Sequence, residues 1–284
     1  MISIHPPQAF LQTGKRENQE DAYCPRDMSA ESRHFAVCDG VGGIEGGEVA
    51  SNAVAERIDT YMRHVTAEGT DFGKEQIEDM LRDAYHVLNN TVTGDAATTL
   101  TLLYIRAESI TMIHIGDSRI YHFRPGKGML FHTRDHSLVA EYVAAGMISE
   151  EAAQTHPQRN IITRSMQAHS EDGWCEATVN EISDISGGDI FLLCSDGVYD
   201  EMTTDELTEM MCASVSLEER CLMLAERCRH SHDNNTAILI EIAEVERNTE
   251  ECINEQWETQ MTRNTHPQNT ENKLVQLLKN FFNV

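Results

Sequence analysis

Two stretches of the chain carry nearly the same phrase. RHFAVCDGVGG (33–43) and GDIFLLCSDGV (188–198) each run an apolar, β-rich segment straight into an Asp-Gly pair. A lone carboxylate at the end of a buried strand is costly unless it is paired, hydrogen-bonded or bound to a metal. One such pair can be an ordinary turn, because Asp side chains hydrogen-bond local backbone. The repetition constrains the fold more tightly. Both strand ends must reach a place where a negative charge is tolerated.

Other acids sit in the same way beside apolar β-runs: Glu20 and Asp21 in RENQEDAY, Asp117 in HIGDSR and Asp233 in SHDNNT. If their strands share a sheet, these carboxylates converge at one end and repel each other without a cation. Hard divalent cations with oxygen ligands relieve that repulsion, and carboxylates with water suit magnesium or manganese. No His/Cys cluster at zinc spacing competes with this reading.

The charge balance narrows the partners. With 22 basic and 47 acidic residues the formal charge is −25. That argues against a nucleic-acid or anionic-membrane surface, since neither finds its basic footprint. A hydrophobic content of 40% and a charged content of 24% are those of a soluble protein with a sizeable core. The 284 residues fit one large domain, or one domain with an appendage. Eight cysteines show no CxxC pair and read as reduced thiols of a cytoplasmic protein. Cys38 and Cys194 lie inside apolar runs and are expected as small core residues. The N-terminal MISIHPPQAF lacks the pattern of a secretory signal. No apolar stretch has the length of a membrane span.

Along the chain, TTLTLLYIRAESITMIHIGDSRIYHF (98–123) reads as a meander of antiparallel strands, continued by MLFHT (129–133). Helical periodicity covers 46–64, 74–91, 205–213 and 217–229. Gly42, Gly43, Gly46 and Gly47 read as a turn entering the first helix. The pattern predicts an α+β layered domain rather than alternating βαβ units. SLVAEYVAAGMISEEAAQTHPQRN predicts two short helices, with Ser149 capping the second. After Glu244 the polar composition predicts a linker. It ends in KLVQLLKNFFNV, an amphipathic piece for which docking on its own domain, docking on a partner or membrane, and disorder are the alternatives.

At this point the residues resemble a known family. RENQEDAY, CDGVGGIEGGEVAS, ATTLT, IGDSRIY, LCSDGV and HDNNTAILI occur in the order and spacing of the metal-dependent Ser/Thr protein phosphatases, type 2C. HPQRNIITRSMQ is similar to the flap segment of the bacterial members. The resemblance runs from Gln12 to Ile242 and stops before the tail.

The resemblance implies a central antiparallel β-sandwich flanked by helix pairs, with a metal cleft at one end. It places the phosphatase domain at 1–244, the flap at about 135–175, and the linker and tail at 245–284. By the resemblance Asp39 bridges two metal ions and the carbonyl of Gly40 binds one of them. Asp196 and Asp233 hold the other, and Glu20 and Asp21 bind directly or through water. Asp117, with Asp196, matches the site of a third ion, and Arg16 matches the phosphate-binding arginine. The cofactor is expected to be Mn2+ or Mg2+.

The implied reaction is hydrolysis of phosphoserine and phosphothreonine on proteins by a water shared between two ions, with no covalent phosphoenzyme. A bacterial Ser/Thr kinase would supply the phosphorylated substrates, and the phosphatase is expected to be a monomer. Animal members carry a His after the Asp-Gly pair as a proposed proton donor. Here Val41 stands there, so His136 and a metal-bound water are the alternatives for that role. Ser118 and Arg119 are expected to shape the turn presenting Asp117. Arg159 and Arg164 are expected in the flap, packing there or touching substrate. Three competing readings are a pseudophosphatase, a regulator with one dedicated phosphoserine partner, and a calcium-binding structural domain. The first predicts loss of an acid, yet Asp39, Asp196 and Asp233 are all present.

Overall fold

Period-two alternation in HFAVC (34–38) divides one strand between two cores. Phe35 and Val37 belong to one buried cluster, Ala36 and Cys38 to another, because successive strand side chains point to opposite faces. The computed structural model describes residues 1–41, 46–170 and 174–246. The amphipathic piece at 273–284 and nearly all of the 245–284 segment lie outside the described residues, as do Gly42 and Gly43.

The strands are β1 (Ile2–Ile4), β2 (Gln8–Gln12), β3 (Asp21–Cys24), β4 (His34–Val41), β5 (Ala97–Thr98), β6 (Leu100–Ile105) and β7 (Ile110–Ile115). They continue as β8 (Arg119–Arg124), β9 (Gly128–His132), β10 (Met166–Gln167), β11 (Thr178–Ile182), β12 (Ile190–Cys194) and β13 (Asn235–Val245). The long helices are α1 (Gly47–Glu68) and α2 (Lys74–Thr91). Shorter ones follow: α3 (Leu138–Ala144), α4 (Glu150–Gln154), α5 (Asp196–Tyr199), α6 (Thr204–Met211) and α7 (Leu217–Cys228).

Two antiparallel sheets result. One has the order β1-β13-β12-β8-β9, with β2 also on β13; the other runs β10-β5-β4-β6-β7-β11, with β3 also on β4. Phe35, Val37, Leu103 and Met112 of the second sheet meet Phe191, Leu193, Ile238 and Ile240 of the first between the layers. The outer face of the second sheet, with Ala36, Cys38 and Leu102, is covered by α1 and α2 through Val54, Ile58, Met80 and Leu88. The outer face of the first, with Leu192, Cys194 and Leu239, is covered by α6 and α7 through Leu207, Met211 and Leu224. Helix pairs thus flank a β-sandwich, and Cys38 and Cys194 are fully buried in the two helix-facing cores.

The meander expected over 98–133 is split. β6 and β7 pair within one sheet, whereas β8 and β9 form a hairpin in the other. The break falls at Gly116, whose φ of +104° is open to glycine. A Cβ there would stand 2.6 Å from Thr99 Cγ2. The tight turn carries the chain across the end of the sandwich and leaves Asp117 on that rim.

Ser149 caps the second flap helix as expected, and three further side chains cap helices. Ser149 Oγ accepts from Ala152 N–H at the start of α4, and Ser137 Oγ does the same for Ala140 at α3. Thr203 and Ser216 open α6 and α7 with capping boxes closed by Glu206 and Glu219. Among the described residues no helix is long and apolar enough to cross a membrane.

Candidate metal and phosphate site

Strand register places the first acids. Asp21 and Asp39 are directly opposed in the β3–β4 ladder. Gly40 N–H donates to the carbonyl of Glu20 (3.0 Å), which sets Glu20 at the same end. A Cβ on Gly40 would stand 2.2 Å from the carbonyl oxygen of Gly47 and 2.6 Å from that of Glu20. Only glycine lets the start of α1 close over this strand end, so the Asp-Gly order has a packing cause.

The second Asp-Gly pair comes from the other sheet. Asp196 begins α5 directly after β12, and Asp233 lies just before β13. β12 and β13 are neighbours. Ser195 joins the two halves: its hydroxyl donates to Asp21 Oδ2 (2.7 Å) and accepts from Thr236 N–H (3.0 Å). The acids therefore do not share one sheet. They meet across the common end of both sheets because the sandwich brings the two strand-Asp-Gly ends together.

Asp117 reaches the cluster from the sheet-switching turn. Ser118 Oγ is 2.7 Å from Thr99 Oγ1, which also accepts from Asp39 N–H (2.9 Å). Arg119 makes a bidentate pair with Asp135 (2.7 and 2.7 Å) and lies over the Tyr199 ring, 3.7 Å from its centroid. Tyr199 OH in turn donates to the Asp117 carbonyl (3.1 Å). Ser118 and Arg119 thus fix the turn, in the manner expected of them. Arg16 stands on the opposite side, half-exposed, with Nη2 donating to Asp233 Oδ2 at 2.6 Å.

Electrostatics tie these groups into one site. Asp39 is held well above the usual carboxylate range, by burial first and then by Asp21, Asp196, Asp117 and Asp233. Asp196 is raised by burial, Asp117, Asp233, Asp200 and Asp21. Burial chiefly pushes Asp21 up to about 6 and Asp117 up to about 7. Glu20 is raised by burial against the opposing pull of Arg16. Asp117 Oδ1 is buried without a hydrogen-bond partner among the described residues.

An oxygen-rich donor set, mutual repulsion and an orphaned buried carboxylate oxygen fit hard divalent cations. Among the described residues no three Asp, Glu, His or Cys side chains already stand at the spacing of one ion's ligand set.

A family profile described as protein phosphatase 2C matches residues 13–227. Protein phosphatase PhpP of Streptococcus pneumoniae is 30% identical over 247 residues, 81% of this chain and 94% of its own. The chain belongs to the protein phosphatase 2C family. The crystal structure of the Mycobacterium tuberculosis serine/threonine phosphatase PstP/Ppp aligns with a TM-score of 0.69 at 27% identity, over 84% of this chain and 99% of that one. A PstP catalytic domain in complex with two manganese ions gives 0.68 at 25% identity, over 86% and 100%. This chain is accordingly a metal-dependent protein serine/threonine phosphatase.

In this phosphatase the flap residues have definite partners. Arg159 forms a two-point pair with Asp200 (3.2 and 3.0 Å), just beyond α5. His136 accepts from Gly116 N–H through Nδ1 (3.1 Å) and places Nε2 2.8 Å from Thr178 Oγ1. Its ring stacks on His114 at 4.5 Å, and burial chiefly pushes its pKa down to about 4. Both ring nitrogens are engaged and the ring is neutral at pH 7, which suits a structural post rather than a proton donor.

The sequence reading missed three groups that hold the acids: Thr99, Ser195 and Asn234. All three lie within motifs quoted above, but their partners come from distant parts of the chain. Asn234 follows Asp233 and accepts from Glu20 N–H (2.7 Å), a contact no local pattern announces.

Proposed function

We propose that this phosphatase hydrolyses phosphoserine and phosphothreonine esters on proteins at the carboxylate end of the sandwich, reversing the work of a Ser/Thr kinase. The observation that carries the reading is the meeting of Asp21, Asp39, Asp117, Asp196 and Asp233 from two sheets, with Arg16 beside Asp233. Asp39, the Gly40 carbonyl, Asp196 and Asp233 would hold two ions, with Glu20 and Asp21 binding directly or through water. Asp117 and Asp196 would take a third. The relative that binds two manganese ions supports Mn2+, with Mg2+ as the other hard cation suited to these oxygens.

When bound, such ions lower the pKa of a shared water and neutralise charge on the phosphoryl group. Arg16 is placed to grip phosphoryl oxygens, since a guanidinium offers a planar fork that matches them. Its Nη2 donates to Asp233 Oδ2 (2.6 Å), which holds the guanidinium beside the cluster. Asp39, buried among Asp21, Asp196, Asp117 and Asp233, is the carboxylate placed to help hold both ions. The buried cysteines carry raised thiol pKa values and take no part in the hydrolysis. We place the enzyme in the cytoplasm, where the seven free cysteines among the described residues stay reduced.

The direct test is phosphate release from a phosphothreonine peptide with and without millimolar manganese, using the full chain and Asp39→Asn. Release that needs manganese and vanishes in the variant supports the reading. Release by the variant at the wild-type rate defeats it.

A further inference from the structure

One buried side chain, to which the reaction gives no role, holds a single loop at three points. Asn234 is 4% exposed. Its Nδ2 donates to the carbonyls of Thr13 and Asn18 (2.9 Å each), and its Oδ1 accepts from Glu20 N–H (2.7 Å). Two carbonyls on one side and an N–H on the other admit a single orientation of the amide. All three partners belong to the loop that carries Arg16 between β2 and β3. That loop has no strand ladder of its own, so these bonds define its course.

The main chain of Asn234 serves the other half of the site. Its N–H donates to Asp233 Oδ1 (2.9 Å), and the other oxygen of that carboxylate accepts from Arg16. Its carbonyl oxygen would stand 2.0 Å from a Cβ on Gly197, which follows Asp196. The loop also lies flush on the segment before Asn234. Lys15 N–H donates to the Ser231 carbonyl (3.0 Å), and a Cβ on Gly14 would stand 2.2 Å from the Asp233 carbonyl oxygen. Gly14 has φ +61°, so the turn leading into Arg16 is shaped around this contact.

We propose that Asn234 is a positioning residue for phosphate recognition: its side chain clamps the 13–20 loop so that Arg16 is preset beside Asp233. It touches no reacting atom. Its effect runs through Arg16, and secondarily through Glu20, and it rests on the phosphatase reading of this site. An arginine that must be ordered on binding charges the ordering entropy against affinity, so a loose loop weakens the grip on phosphate even though the guanidinium is intact. Arg16 contacts substrate in the ground state as well as the transition state, so the loss falls mainly on KM.

The test compares the full-length wild type with Asn234→Ala, Arg16→Ala and the double variant at saturating manganese, with p-nitrophenyl phosphate as substrate and inorganic phosphate as inhibitor. Asn234→Ala is expected to raise KM and the phosphate inhibition constant on the order of tenfold, with kcat changed far less. In the double variant both constants should stay within about twofold of Arg16→Ala alone, because the two changes remove one interaction. Effects that multiply, or a loss confined to kcat, would overturn the clamp.

Amide hydrogen exchange supplies an independent arm, and Asn234→Asp guards against a variant that fails to fold. Asn234→Asp keeps the acceptor for Glu20 N–H and loses both donations. The Glu20 amide should therefore stay protected in Asn234→Asp and exchange quickly in Asn234→Ala. Equal protection in all three proteins would sink the proposal. Should the wild type hydrolyse nothing, the phosphatase reading falls, while the exchange pattern still upholds or overturns the clamp.

Discussion

Asp21 and Asp39 face each other as directly paired residues of β3 and β4. Like charges opposed across a ladder destabilise it, and burial makes the repulsion worse. The metal-free protein therefore holds strain at this pair that a bound cation relieves. Asp39→Asn should make the metal-free protein more stable by about 1 kcal/mol, measured by urea unfolding in the presence of a chelator. The same change should lower manganese-dependent turnover by at least about 100-fold. Manganese should raise the melting temperature of the wild type clearly and that of the variant less, by mass action on the native state. A variant less stable than wild type without metal would contradict the repulsion account.

The acids were legible because each stands next to an apolar strand, and a carboxylate at a strand end leaves a local signature. An α+β layering was legible in the runs of strands followed by paired helices, while the sandwich flanked by helix pairs came from the family resemblance. What the sequence hid is non-local. The GDS turn at 116–118 looks like any hairpin turn, and only the packing of Gly116 on Thr99 shows that it changes sheets. Asn234 looks like one more turn residue in HDNN, although its partners lie at positions 13, 18 and 20. Hydrogen-bond partners far apart in the chain follow from the assembled topology, which a local pattern does not encode.

Asp189 offers a test of the scaffold away from the site. It is fully buried and accepts from Arg124 Nε (2.7 Å) and Nη2 (2.8 Å) and from Ser186 N–H (2.9 Å), with His122 Nε2 2.9 Å away. Burial alone would raise its pKa, but these partners together bring it down to about 2 from 3.8. A depressed pKa in the folded state gives stability that is present above 3.8 and is lost as the pH falls toward 2. Asp189→Asn should cost about 2–3 kcal/mol at pH 7. In urea unfolding, the gap between wild type and variant should close between pH 4 and pH 2. A gap that stays constant over that range would mean that the charge of Asp189 contributes nothing.

The Arg159–Asp200 pair joins the flap to the segment that follows α5. Both side chains are partly exposed, at 43% and 31%, so the pair adds at most about 1 kcal/mol to global stability. Its larger effect is local. Arg159→Ala should leave the urea midpoint nearly unchanged while amides of α3 and α4 exchange several-fold faster, because the flap loses a tether and not a core contact. Unchanged exchange in α3 and α4 would show that the bridge Ser137–Ile162 and the caps suffice to hold the flap.

We propose that the leaving-group proton does not come from His136. Its main-chain N–H donates to the Gly116 carbonyl (2.9 Å) while its Nδ1 accepts from Gly116 N–H, so the residue brackets the turn that presents Asp117. Thr163 N–H donates to its carbonyl (2.8 Å), which extends the post into the flap. With Nδ1 accepting, Nε2 carries the ring proton and donates to Thr178. The ring's next protonation lies near pH 4, lowered by burial first and then by His114 and Arg164. A general acid contributes about 10²–10⁴-fold and leaves a basic limb in the rate profile set by its own pKa. His136→Asn can keep the acceptor for Gly116 N–H, so it should slow turnover by less than about tenfold. The profile of kcat between pH 5 and pH 9 should keep its wild-type shape. Loss of the high-pH limb in this variant would return the proton-donor role to His136. Retention assigns the proton to a group outside this ring and leaves His136 as the post on which the Asp117 turn and the flap are both hung.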